Sequence, residues 1–535
     1  MNKNLLIIFF IAGLLAFFPI SCDIKSPIEG ISVKVKNIPR TTSIRVEFLD
    51  QNAKTLVSTP ITLKFGGRNK NDVITDVNQP ISQMTVRDGI AYFAIKDNII
   101  PTAENPVEVI LIVQSSQYLS TSSKLLITKT GSNSFVVNLL KPPVNPNIPA
   151  PAGITANEQS FGNIATSAGT TVNIVANSGG NIRSILTVPS GTILRDANGN
   201  ALSGNVRTQI TYFDATSRSA IPSFPGGFSV NTNTSGNGAF VTAGFSAINM
   251  FVNDTPVESF SRPVSVQIQV NPNTRNPITG TTVRPGDQIP MWSYNESTGT
   301  WNFEGNYTLQ SSIGPDGKQV LFVEKSDVTH LSYWNLDWYF NACYLSSKIK
   351  FVGGCWDLLY WYIEYENGQG FLGSGSVFSN DPEIVFLNAP SNTPVRILAF
   401  ESFSDLINYY YNRNQSLLRG SLLVQNLCAG TTQTFNLQVN TQSSGQTVNL
   451  TVRGRCPNGN ILDQGTLDIE IFKNGFWQHA GRIINGQITL NCLQIGQTYN
   501  FRAYYNGQYY YREQQITSAN MVIEIPLPGD IDFCN

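Results

Sequence analysis

Alternating apolar and polar positions run through most of the chain. Ile31, Val33 and Val35 alternate with polar neighbours, as do Ile44, Val46 and Phe48, which places apolar side chains on one face of a sheet. Asp88-Gly89 lies between Met84–Val86 and the alternating Ile90, Tyr92 and Ala94, the signal of a compact hairpin. Val107–Val113 and Ser134–Leu140 complete a pattern on the scale of seven strands, so residues 28–140 are expected to form a β-sandwich. Lys141–Pro151 is too proline-rich to pair in a central strand, and 141–152 is expected to be an extended spacer. A larger sandwich is expected over 153–338, and two further ones over 341–438 and 446–530. The last two look like diverged copies of one module. Lys348–Tyr365 matches Asn449–Phe472 in character, and Ile384–Phe400 matches Gln487–Tyr504. The fold class is therefore all-β, a set of tandem immunoglobulin-like or transthyretin-like sandwiches.

The first twenty-two residues break this pattern. Lys3 precedes an almost unbroken apolar run from Leu5 to Phe18, too short to span a bilayer comfortably, and the run ends in Pro19-Ile20-Ser21-Cys22. This stretch is read as a signal peptide over 1–22. Its end resembles the lipobox of bacterial lipoproteins, with Pro19 standing where Leu is usual. The resemblance implies that Cys22 is acylated and becomes the mature amino terminus. No second apolar run of that length follows.

Composition narrows the function. The 535 residues carry a net charge of -1, and only 13% are charged, against about 25% in a typical soluble protein. No basic excess exists to neutralise phosphates, so nucleic acid is not expected as a partner. Beyond Cys22 there are six cysteines: Cys343, Cys355, Cys428, Cys456, Cys492 and Cys534. They form no Cys-x-x-Cys pair, and the chain holds only 2 His, so neither a metal site nor a cofactor is expected. In an oxidising compartment the six would form disulfides, with connectivity left open among about fifteen pairings.

The central domain carries Val188-Pro189-x-Gly191, Ile289-Pro290-x-Trp292, Trp301-x-x-Glu304-Gly305 and a terminal His330-x-Ser332. Together these resemble the sandwich shared by cartilage intermediate layer proteins and by the domain of zonula-occludens scaffolds, ankyrins and netrin receptors. The paired carboxy-terminal modules resemble carboxypeptidase regulatory-like and transthyretin-like sandwiches, and their aligned cysteines imply one local disulfide per module. Some relatives of the netrin-receptor type cleave themselves at a His-apolar-Ser/Thr site. That resemblance implies a cut between Leu331 and Ser332, with Ser332 as nucleophile, Leu331 donating the carbonyl and His330 as base. The plainer reading is a strand entering its last turn with Ser332 bonded to backbone.

Asp196-x-Asn198-Gly199-Asn200 opens like a calcium loop. Ala201 and Arg207 occupy the positions where such a loop needs Gly and Glu, so a turn is expected instead. Tyr409, Tyr410 and Tyr411, with Tyr509, Tyr510 and Tyr511, fall late in their modules and are candidates for stacking on a sugar or a protein partner. The competing reading has alternate aromatics filling cores while outward ones follow β propensity. No nucleophile elbow, phosphate-binding loop or zinc-protease helix is present in the sequence.

The expectation is an exported protein, lipid-anchored through Cys22 to the outer membrane of a Gram-negative bacterium and open to surface exposure. It would act as a multi-domain binding, adhesion or structural module without conventional catalysis, its ligand a protein or a glycan. Self-cleavage at Leu331-Ser332 and glycan capture for nutrient uptake are the alternatives. In an extended string of sandwiches, the first would stand at the bilayer and the last two would face outward.

Overall fold

The computed structural model describes residues 40–526 except 116, 142–150, 165–168, 179, 297, 380, 392, 439–444, 463–466, 474–475 and 506–507. The signal segment with Cys22, most of the spacer and Cys534 lie outside the described residues.

The protein is all-β with a single α-helix among the described residues. The first sandwich contains β1 (Thr42–Asp50), β2 (Ile90–Ile95), β3 (Val107–Gln114), β4 (Thr121–Ile127) and β5 (Gly131–Leu139), together with strands Ile61–Gly66 and Gln83–Val86. Alternate positions of both sheets fill its core, among them Ile44, Val46, Phe48, Leu63, Phe93, Val109 and Leu111. Asp88-Gly89 does not close the expected hairpin. Gln83–Val86 pairs with Ile61–Gly66 while β2 pairs with β1, so the chain crosses from one sheet to the other at Arg87–Gly89. Gly89 has φ +68°, and a Cβ there would lie 2.8 Å from the Val57 backbone, so the crossing needs glycine.

The central domain is organised by two long strands, β6 (Gly236–Val252) and, following β7 (Gln288–Asn295), β8 (Tyr333–Val352). The amino-terminal half of β8 pairs with β6 from Tyr333 to Asn341. From Ala342 the same strand continues as the first strand of the third sandwich, which holds β9 (Leu358–Tyr365), β10 (Phe371–Phe378), β11 (Glu383–Pro390) and helix α1 (Phe403–Asn412). The expected boundary between 338 and 341 thus falls inside one 20-residue strand. Nothing between Trp338 and Tyr344 forms a turn, and each half of the strand finds its own partner.

The fourth sandwich contains β12 (Leu467–Lys473), β13 (Phe476–Ile483), β14 (Thr498–Tyr505) and β15 (Gln508–Gln515), with strands Gln446–Arg455, Gln487–Leu493 and Asn520–Pro526. Leaving aside two-residue ladders, the first, third and fourth sandwiches share one topology. In each, the opening strand lies antiparallel to the fourth and parallel to the seventh. The second pairs with the third and fifth, and the fifth with the sixth. The chain therefore repeats one seven-strand unit three times and places the larger domain between the first and second copies.

These units are not laid out as an extended string. The third sandwich continues the first through the Phe135–Gly375 bridge, and the fourth packs against the first. Cys343 bonds Cys428 within the third sandwich, as one local disulfide per module would have it. Cys355 instead bonds Cys492 across the third and fourth. The extra cross-link departs from the local pattern because Cys355 sits at the module edge, where the next sandwich docks. Cys456 is disulfide-bonded as well.

Candidate functional site

Strand alternation gives the second sheet of the fourth sandwich two faces. Ile469, Ile471, Ala480, Ile483 and Phe501 point into the core. The opposite face carries Asp468, Glu470 and Phe472 from β12 and Trp477, His479 and Arg482 from β13. Arg502 and Tyr504 of β14 and Tyr509 and Tyr511 of β15 complete it, placed by their register. This one face does two different things.

Its charged end is buried against the first sandwich. Arg45 Nε lies 2.9 Å from Glu470 Oε1, and Arg45 Nη1 lies 2.8 Å from Glu47. Arg502 also pairs with Glu470, and the Tyr92 hydroxyl bonds the same carboxylate. Tyr360 of the third sandwich donates to Glu47 at 3.4 Å, so three sandwiches meet on this cluster. Burial alone would neutralise these groups. For Glu47 it prevails, raising the carboxyl pKa against the pull of Arg45. For Glu470 burial is outweighed by Arg45 and Arg502, and its pKa is lowered. Tyr92 stacks on Tyr504 with centroids 4.9 Å apart, closing the joint with apolar area.

The other end of the face is open. Arg502 lies 4.0 Å above Tyr509 and 4.6 Å above Trp477, so the guanidinium joins the buried end to the exposed one. Trp477 contacts Phe472 and Tyr511 at 5.2 and 5.7 Å. Phe472 is 40% exposed and Tyr511 65%. A run of rings thus leads from the interior at Tyr92 to solvent at Tyr511. Rings held from behind by packing and a cation form a preordered stacking surface, with little side-chain entropy left to lose on binding.

Next to the joint, Ser132, Asp468 and His479 come together. Ser132 Oγ donates to Asp468 Oδ1 at 2.8 Å, and His479 Nε2 lies 3.2 Å from the same oxygen. In a hydrolytic triad the imidazole bridges serine and carboxylate. Here the carboxylate is the bridge, and His479 is buried against Phe378. The cavity beside them measures about 10 Å³, room for one water and no substrate. The trio ties sandwiches together.

The residues singled out in the sequence are dispersed. Tyr509 belongs to the joint, Tyr510 is half-exposed on the strand and Tyr511 is open to solvent. Tyr409 and Tyr410 are buried on α1, and Tyr411 is half-buried beside Lys54. The two tyrosine triplets are therefore not equivalent. One lies on a helix between the fifth and sixth strands of its module, the other on the sixth strand itself. Phe472, Trp477 and Arg502 complete the open surface, and their alternation with the Tyr triplet across neighbouring strands was the signal available for them. Ser332 Oγ donates to the Tyr294 carbonyl at 2.6 Å and accepts from the Tyr294 N–H at 3.1 Å. His330 lies against Trp334 with centroids 5.3 Å apart. Asp196 Oδ1 accepts the N–H groups of Asn198 and Asn200, with Gly199 at φ +80°, as in a tight turn.

No family model matches the chain, and no curated protein does. Among solved structures, the Bacillus anthracis TIE protein is 9% identical with a TM-score of 0.13, the match covering 70% of this chain and 57% of that one. A variant of BcpA, the major pilin subunit of Bacillus cereus, is 7% identical over 91% of this chain and 98% of its own, with a TM-score of 0.14. The full-length pilus protein RrgB from Streptococcus pneumoniae is 7% identical over 89% and 93%, with a TM-score of 0.12. Similarity at this level carries neither function nor arrangement to the present chain.

Proposed function

We propose that the chain is an exported, non-enzymatic binding or adhesion module, tethered to the outer membrane by acylated Cys22. Its four interlocked sandwiches hold the aromatic face of the last one ready for a ligand. The observation that carries the reading is the run Phe472, Trp477 and Tyr511, exposed at one end and backed by Arg502 and the buried joint at the other. Flat rings, with a polar N–H on Trp477 and O–H on Tyr511, suit the apolar faces of sugar rings, and each good stacking residue is worth roughly 1 kcal/mol or more. The test is a glycan array followed by titration of the best binder. Tyr511→Ser, which removes an exposed ring and leaves the joint intact, should weaken binding about tenfold with no change in melting temperature. Unchanged affinity would sink the reading. Intact-mass measurement of the mature chain tests the tether. A di- or triacylated Cys22 is expected, and an unmodified one removes the anchor.

A further inference from the structure

A crevice of about 200 Å³ opens where the first sandwich, the central domain and the third sandwich meet, and none of its lining residues belongs to the aromatic face. Its walls come from β4 and β5, the Pro222–Gly227 segment, β10 and β11. Three features give it chemical character. First, Lys124 lines it, and among the described residues no carboxylate stands within ion-pair distance of its ammonium. Burial lowers the Lys124 pKa, with only the more distant charge of Glu108 opposing. Second, the Trp361 indole, half-buried, lies over the bare backbone of Gly373 and Gly375 and is held edge-on by Phe386 at 5.3 Å. Third, Ser123 and Thr128 add hydroxyls to the lining, so the walls mix rings with hydrogen-bonding groups.

A desolvated ammonium without a partner asks for an anion. An ordered indole beside hydroxyls suits a flat ring with one apolar face and polar edges, whereas a fatty chain would leave those hydroxyls unsatisfied. The volume falls below that of pockets for drug-sized ligands, which limits the occupant to one ring. We propose that this crevice binds a single carboxylated pyranose, its carboxylate on Lys124 and its apolar face on Trp361. Such a ring can be a free sugar acid or the terminal residue of a glycan.

The test titrates the full chain by ligand-observed NMR with glucuronic acid, its methyl glycoside, galacturonic acid and glucose. Saturable binding of at least one acid, at least tenfold tighter than glucose, is expected. If the free acid and the glycoside bind alike, the site accepts a chain end; binding of the free acid alone assigns it to a free metabolite. Lys124→Gln removes the charge while keeping a polar, one-atom-shorter side chain and should abolish the preference for acids without lowering the melting temperature. Trp361→Phe should weaken acids and glucose together. The proposal fails if no acid saturates, if glucose binds as tightly, or if Lys124→Gln binds the acids unchanged. Tyr511→Ser should leave this binding untouched, which separates the crevice from the aromatic face.

Discussion

Asp468 stays charged inside the joint between the first and last sandwiches. Burial works against that charge, but His479, Arg482 and the Ser132 hydroxyl outweigh it and hold the carboxyl pKa at about 2, below the ordinary 3.8. A depressed carboxylate pKa contributes stability that is present above the unfolded value and lost as pH falls through the folded one. Stability should therefore drop between about pH 4 and pH 2, by roughly 2 kcal/mol from this residue. Asp468→Asn should lose that amount at neutral pH and flatten the acid limb of a urea-denaturation series. An unchanged limb would mean that other carboxylates govern it. Arg45 and Glu47, two positions apart on β1, show where pattern reading stops at this scale. Their face alternates with Ile44, Val46 and Phe48, so the sequence assigns them to solvent. Arg45 is buried because Glu470, more than four hundred positions away, brings the matching charge, and Glu47 because Arg45 and Tyr360 of the third sandwich close over it.

At the scale of elements, Ser332 fastens the start of β8 to β7. Its hydroxyl uses both its proton and a lone pair on the Tyr294 backbone. Ser332→Ala leaves a buried N–H and C=O without that partner and should cost about 1–3 kcal/mol. On a denaturing gel the wild-type chain should run as one full-length band, since that hydroxyl is engaged on both sides by the Tyr294 backbone; two fragments would establish self-cleavage. Strands such as Val264–Val270 were legible because they alternate and are bounded by proline and asparagine. Helix α1 was not, although Phe403, Leu406, Ile407 and Tyr410 repeat at helical spacing. Ser402 caps it, accepting from the Asp405 N–H at 3.1 Å, and Arg413 ends it at φ 51°. A triplet of tyrosines carries strong strand preference, and that masked the cap and the period. The likeness of the last two modules was visible in matched segments. The first sandwich, which shares their topology, keeps only the strand order, and strand order has no sequence signature of its own. The open aromatic face was half visible. Tyr511 stood out in the triplet, while Phe472 and Trp477 join it only through cross-strand register.

At the scale of the molecule, the Cys355–Cys492 bond fixes the fourth sandwich on the third across a sequence separation of 137 residues. Closing so long a loop restricts the unfolded chain by about 4–5 kcal/mol in the entropic account. The Cys355→Ser/Cys492→Ser double variant should lower the urea midpoint, with the last sandwich melting in its own earlier transition. A single unshifted transition would show that the ion cluster suffices alone. The packing of the last sandwich on the first also revises the expected layout, because a tether at the amino terminus would hold both at the same end of the molecule. The long strand β8 then acquires a mechanical meaning. At roughly 3.3 Å per residue its twenty residues reach about 65 Å, and they belong to the central domain and the third sandwich at once. Tension applied between those two units has no slack linker to extend. It runs along a covalent backbone clamped by sheet hydrogen bonds on both sides, and the pair must bear the pull as one beam.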